Sequence, residues 1–309
     1  MLAGTRVLLE GERGQGKLGA FGAVVGTGAI LALAIGITRV GEAGWGEPAT
    51  LAPLGAAAGL LALFVVIQAR SRDPMLPLFL LGERNRAGSY GAMLLFGAGM
   101  MGTYYLLTLF LQQVMGFGPT RAGVAALPFA AGIVVGAGIS AKLVEKLPPR
   151  AVAVPGLLLG AVGMLWLSRL TPDASYSAHV MPGVFAVSSG LGASAIATTL
   201  TAVHGVPEER AGVASAVVNM AQQIGAALGI AAMTAISTSV SDARIPHAAS
   251  TLQQAGTNLA SAASAAQALA AGYATAFLAG SALLLAAAVI VGCAVNTRVV
   301  QRAAAAATF

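Results

Sequence analysis

Apolar residues fall into eight blocks of about 20 positions each, with the charged residues between them or at their ends. A helix needs about 20 apolar residues to cross a hydrocarbon core about 30 Å thick. The pattern therefore predicts eight membrane-spanning helices, at about 18–38, 51–69, 89–114, 122–142, 151–168, 180–203, 213–238 and 273–295. Between the first two lies a short polar turn, 39–50, with Gly41, Gly44, Gly46 and Pro48. The run Pro74 to Leu81 is apolar but too short to cross. With Arg70, Arg72, Arg84 and Arg86 on its flanks it is expected to lie along the headgroups. The Ala/Ser/Gln-rich stretch 241–270, with Pro246, is too polar to span and is expected to be an exposed loop with some helix. The chain divides accordingly into a linker (1–17), two helices (18–70), an interfacial segment (71–88), a six-helix unit (89–296) and a tail (297–309).

Composition agrees with the pattern. Charged residues make up 9% of the chain, against about 25% in soluble domains, and 57% of residues are hydrophobic. Mean hydropathy is +0.82. A net charge of +6 could suggest nucleic acid. The cations, however, neither cluster nor interleave with aromatics, and a bilayer rather than nucleic acid is the expected partner. Cys293 is the single cysteine, so neither a disulfide framework nor a cysteine-based metal site is possible. His179, His204 and His247 are too far apart to make a metal site. No metal, cofactor or enzymatic activity is expected. Met1 to Lys17 carries five charges and no apolar core, so no cleavable signal peptide is read there.

Loop charges set the orientation. With both termini in the cytoplasm, thirteen Lys and Arg lie inside and four (Arg39, Arg121, Arg169 and Arg244) lie outside. The chain is expected to be a multi-pass protein of the cell membrane.

No Asp, Glu, Lys or Arg lies in the middle of a span, so the embedded charge typical of ion-coupled transport is missing from this chain. Three uncharged polar stripes remain. Tyr104, Thr108 and Gln112 recur at spacing four on the third span, and Ser194, Thr198 and Thr201 lie on the sixth. Ser215, Asn219, Gln222 and Gln223 lie on the seventh. Polar side chains at membrane depth must face protein or a watery cavity. They are either interhelical hydrogen bonds, worth about 0.6 kcal/mol each, or the wall of a substrate cavity. Three amides within five residues, Asn219, Gln222 and Gln223, favour the cavity most. Small-xxx-small pairs, Gly132/Gly136, Gly156/Gly160 and Gly225/Gly229, provide flat faces that serve plain packing or helix sliding.

Two segments are specific enough to point to a family. Leu109-Phe-Leu-Gln-Gln-Val-Met-Gly-Phe-Gly-Pro-Thr-Arg-Ala-Gly123 resembles the link between the first two helices of the C-terminal half of fourteen-helix drug:proton antiporters. These are the QacA/EmrB-like branch of the major facilitator superfamily. The second segment runs from Gly205 through Pro207, Glu208, Arg210, Asn219, Gln222 and Gln223 to Gly229. The turn Val144 to Arg150, with Glu145, Lys146 and Arg150, is similar to that family's cytoplasmic gating loop. Trp45-Gly46 and Asp73-Pro74 through Leu78 also fit. Gln222 and Pro148 depart from it, standing where relatives often carry Arg and Gly.

The resemblance implies an all-α membrane protein made of the two central linker helices and the C-terminal six-helix half of a major facilitator fold. Its expected function is proton-coupled efflux of drugs or other amphipathic small molecules by alternating access. The first six helices, with the proton-carrying acids, would belong to the same gene or to a separate subunit. The expected cavity residues are Tyr104, Thr108, Gln112, Ser194, Thr198, Asn219, Gln222 and Gln223. A truncated or half-transporter subunit with no transport of its own is the alternative reading.

Overall fold

The computed structural model describes residues 17–43, 46–71, 82–203, 206, 211–253 and 258–295, with side chains placed for all of these except 17–20, 40–43, 245–253 and 258–264. The expectations for the 1–17 linker, the Pro74–Leu81 segment, Trp45, His204, the Pro207–Arg210 motif and the tail fall wholly or almost wholly outside these residues.

All regular structure among the described residues is helical. In chain order the helices are α1 (Lys17–Ala43), α2 (Pro48–Arg70), α3 (Arg84–Leu109), α4 (Pro119–Ala125), α5 (Leu127–Leu143), α6 (Pro149–Leu167), α7 (Met181–Val203), α8 (Ala211–Gln253) and α9 (Asn258–Ala294). A π-helical turn, Phe110–Val114, extends α3, and a second, Tyr176–Val180, leads into α7. Eight stretches are long and apolar enough to cross a membrane, as the hydropathy pattern predicts, with α4 and α5 forming one of them.

Boundaries differ from expectation at three places. Helix α1 continues through Ala43, five residues into the expected 39–50 turn. Helix α3 begins at Arg84, five residues early, so Arg84 and Arg86 lie in its first turn. Helix α8 continues through Gln253, and α9 begins at Asn258, so most of the expected 241–270 loop is helical. Alanine has the highest helix propensity, and between Gly229 and Gly256 α8 has no glycine to stop it. The polarity that rules out a span does not rule out a helix.

Helices α3 and α5–α9 form one bundle. Helix α3 packs on α8, α9 and α7, α7 lies between α5 and α6, and α9 closes against α6 and α8. Helices α1 and α2 form an antiparallel hairpin, with Gly36 against Leu54 and Gly26 against Phe64, and α1 docks on α8. Lipid supplies no hydrophobic drive for association, so close backbone approach holds such helices together. All three small-residue pairs sit at these contacts. Gly132 and Gly136 face α7, and Gly156 and Gly160 face the α7 backbone and Leu284. Gly225 lies against the Leu94 carbonyl, and Gly229 against the Ala98 backbone. The buried core joins Met93, Phe110, Leu157, Met164, Leu191, Met233, Phe277 and Leu284 across the bundle.

Candidate functional site

Helix α3 is the central helix, and most of its side chains are buried. Where it opens, the exposed residues are Tyr104 (45% exposed), Tyr105 (40%), Gln112 and Gln113, with Thr108 half-buried between them. The Tyr104, Thr108, Gln112 stripe is thus the open side of an otherwise enclosed helix. Tyr104 packs its ring on Phe129 of α5, 5.5 Å between centroids at 56°. The Thr108 hydroxyl donates to the Tyr104 carbonyl at 2.9 Å.

The π turn carries the two glutamines. The Met115 amide donates to the Phe110 carbonyl (3.1 Å) and the Phe117 amide to the Leu111 carbonyl (2.9 Å). Gly116 then takes φ 66°, the left-handed conformation that closes helices and that glycine adopts without penalty. Phe117 is held between the Arg121 guanidinium, 3.9 Å above its ring, and Tyr176, 6.1 Å away, whose hydroxyl donates to the Ala125 carbonyl at 2.7 Å. Pro119 starts α4 at a position where its missing N–H is harmless. Much of the Leu109–Gly123 motif therefore builds a corner, and Gln112 and Gln113 are its exposed residues within the π turn.

On α8, Ser215, Asn219, Gln223 and Ala227 are exposed at intervals of four, on one face, with exposed Met220 beside Asn219. The Asn219 amide donates to the Ser215 carbonyl at 3.2 Å. Gln222 lies off this face. It is half-buried, and its carbonyl meets Gly97 of α3.

Ser194 and Thr198 are buried. Their hydroxyls donate to the Leu191 carbonyl at 2.9 Å and the Ser194 carbonyl at 2.8 Å. The Ser194 amide lies 3.0 Å from where a Gly156 side chain would begin. These hydroxyls satisfy themselves inside the α6–α7 contact, because α7 is enclosed on both sides, and they border no open surface. Glu145, Lys146 and Arg150 are exposed at the turn joining α5 and α6.

The open residues do not form one cluster. Helices α3 and α8 run parallel, with Ala98 beside Gly229 and Gly102 beside Met233. At 1.5 Å per residue, Gln223 then lies about 18 Å along the bundle axis from Tyr104 and about 30 Å from Gln112. The open residues make two stretches on neighbouring packed helices, one on α3 with tyrosines and glutamines and one on α8 with Asn219 and Gln223. Sequence reasoning missed Tyr105 and Gln113. Their burial could have been guessed either way from spacing, because consecutive positions on a helix face different neighbours.

Exposed aliphatic residues lie elsewhere, as at Val134, Val162, Leu278 and Val289. A lipid-facing surface consists of such residues, whereas exposed amides at membrane depth require water or protein. Among the described residues, no three His, Cys, Asp or Glu come together as a metal site would need.

Residues 5–230 match the Major Facilitator Superfamily family model. The chain belongs to the major facilitator superfamily. It is 36% identical over 220 residues to the puromycin resistance protein pur8 of Streptomyces alboniger, covering 70% of this chain and 44% of that one. It is 35% identical over 230 residues to the cephamycin export protein CmcT of Amycolatopsis lactamdurans (73% and 47%). It is 30% identical over 237 residues to the tetracenomycin C resistance and export protein of Streptomyces glaucescens (75% and 44%). The chain thus spans about half the length of these relatives. A bacterial homologue of the human lysosomal transporter Spinster, in an inward-facing and occupied conformation, superposes with a TM-score of 0.55 at 21% identity. The match covers 89% of this chain and 65% of that one. It supports the fold alone.

Proposed function

We propose that this chain forms one wall of a proton-coupled exporter of antibiotics or other amphipathic small molecules. In this reading α3 to α9 make the C-terminal six-helix half of a fourteen-helix drug:proton antiporter, and α1 and α2 are its two central helices. Major facilitator sites lie near mid-membrane between two halves that rock for alternating access. The openness of Tyr104 and Gln112 on α3, with half-buried Thr108 between them, and of Asn219 and Gln223 on the adjoining α8 is the observation that carries the proposal; in this reading the two stretches make one strip. Aromatic and aliphatic surface with a few amides suits an amphipathic solute, since the rings take its apolar body and the amides its polar groups. Gln222, packed against α3, stands outside this wall. The named functions of the relatives, resistance to puromycin and export of cephamycin and tetracenomycin C, point to the same class of cargo.

The six N-terminal helices would supply the opposite wall and the proton-carrying acids, because the described spans hold no acidic residue at mid-depth. Both termini are cytoplasmic, by the thirteen-to-four distribution of basic residues. That places Asn219 and Gln223 toward the cytoplasm, where cargo would first meet the wall, and Gln112 toward the exit. Glu145, Lys146 and Arg150 then lie on the cytoplasmic surface, where a gating loop would touch the other half.

The test is efflux from cells that make the protein from its native locus, so that any upstream coding sequence is included. Tyr104→Ala and Gln223→Leu should each lower efflux several-fold at unchanged membrane abundance. Thr198→Val, at a buried position, should leave efflux unchanged. Equal efflux in all three variants, across several antibiotics and cationic dyes, would remove this wall from the transport path.

A further inference from the structure

The stripe on α3 lines up only because the helix widens at its end. At about 100° per residue, Gln112 of a straight α-helix would point about 80° away from Tyr104. Each residue of a π turn advances by only about 80°. Beginning the π turn at Phe110 makes the last two steps wide and brings Gln112 back to within about 40° of the Tyr104 direction. The wide turn is therefore what places the Gln112 amide and the Tyr104 ring on one face.

A wide turn is seldom stable by itself, and π turns recur at functional sites. Here α9 holds it. Tyr273, fully enclosed between helices, donates its hydroxyl to Gln113 Oε1 at 2.7 Å. Its ring also meets Phe110 edge-on, 6.0 Å between centroids at 87°. Phe110 and Gln113 are the first and fourth residues of the five-residue turn, so one side chain grips it at both places. The two neighbouring glutamines are both exposed but differ in partner: Gln113 accepts the Tyr273 hydroxyl of α9, and Gln112 lies near Thr108 and Tyr104.

We propose that Tyr273 is a positioning residue for the substrate wall, fixing the Phe110–Val114 π turn through Gln113 so that Gln112 faces the same cargo as Tyr104. The proposal deepens the exporter reading and rests on it. Tyr273 touches no cargo; it acts through the turn. When the half rocks, the hydrogen bond to Gln113 is the point at which the turn can relax toward α-helical winding and swing Gln112 away.

Tyr273→Phe removes the hydroxyl and keeps the ring contact with Phe110, so the fold is retained. Export of one amphipathic antibiotic, puromycin, is measured in cells making the protein from its native locus. Tyr273→Phe should raise the apparent KM about fivefold, the size of one net hydrogen bond, with maximal rate and membrane abundance unchanged. Gln112→Leu should raise KM by a similar factor, and the double variant by no more than either alone. A KM effect of Tyr273→Phe that adds to that of Gln112→Leu, or a loss confined to abundance and maximal rate, would overturn the proposal. A second cycle, between Tyr273→Phe and Gln113→Leu on thermal unfolding of the purified protein, needs no transport. Coupled losses support the tie between α9 and the turn, and independent losses overturn it. If Gln112→Leu leaves KM unchanged while the unfolding cycle is coupled, the exporter wall is what fails, and with it Tyr273's role in holding cargo.

Discussion

Gly91 and Gly97 lie six residues apart on α3, and alanine should act on them in opposite directions. A side-chain carbon at Gly97 would overlap the Gln222 carbonyl, with the Gln222 carbonyl carbon and Cα both 2.9 Å away. All three are backbone atoms, so no rotamer change can make room and α3 and α8 must move apart. Overpacking of this kind costs about 1–3 kcal/mol, and a backbone collision belongs at the top of that range. Alanine returns about 1 kcal/mol of helix propensity relative to glycine. The net loss for Gly97→Ala is about 2 kcal/mol. At Gly91 nothing lies within 4 Å, so only the propensity term acts and Gly91→Ala should gain up to about 1 kcal/mol. Gly225→Ala, against Leu94, should resemble Gly97→Ala. The Gly97→Ala/Gly225→Ala double variant should lose less than the sum, because one separation relieves both collisions. Thermal unfolding of the purified protein in detergent, followed by loss of monomer on size exclusion, measures all four. A Gly97→Ala protein as stable as wild type, or a Gly91→Ala protein equally damaged, would refute direct backbone packing between α3 and α8.

Gly116→Ala forces a side chain into the left-handed region and should lower stability by about 1–2 kcal/mol in the same unfolding assay, with Gly116→Asn milder. Met233 is completely enclosed and touches Gly102 and Gly280, so Met233→Ala should cost about 2–3 kcal/mol, whereas exposed Met220→Ala should stay within about 0.5 kcal/mol. Cys293 is exposed at the bundle end where the Arg84 guanidinium donates to its carbonyl at 3.1 Å. In whole cells it should react with a membrane-permeant maleimide and resist an impermeant one, and impermeant labelling would reverse the orientation.

The number of spans and the positions of most helices could be read from hydropathy, because crossing a bilayer imposes length and composition together. Glycine spacing also located real interfaces, since Gly132, Gly136, Gly225 and Gly229 each meet a neighbouring backbone. What spacing could not decide was which polar stripe is open. Ser194 and Thr198 have the same periodicity as Tyr104 and Thr108, yet α7 is covered by α5 and α6 while α3 is open on one side. That difference is set by tertiary packing and leaves no mark in the spacing of either helix. The same holds for Gln222 and Gln223, adjacent in sequence and divided between the α3 contact and the open face. The π turn was hidden too: a period of four suggested one face for Tyr104 and Gln112, and the structure reaches that alignment by changing the winding. The 241–270 stretch is more helical than the expected loop with some helix, because polarity excludes a span while its alanines favour a helix wherever it lies.

In an exporter of this kind Gln112 and Gln223 line a watery, substrate-accessible wall while the aliphatic faces meet lipid. Single cysteines at Gln112, Gln223 and Val134 in a Cys293→Ser background, treated with a water-soluble maleimide in inside-out vesicles and right-side-out cells, test it most directly. The Gln223 and Gln112 positions should be labelled, at a rate that an exported antibiotic slows, with Val134, 71% exposed and on an aliphatic face, left unlabelled. Labelling at Val134 equal to that at the two glutamines, or none at either glutamine from both sides, would contradict it.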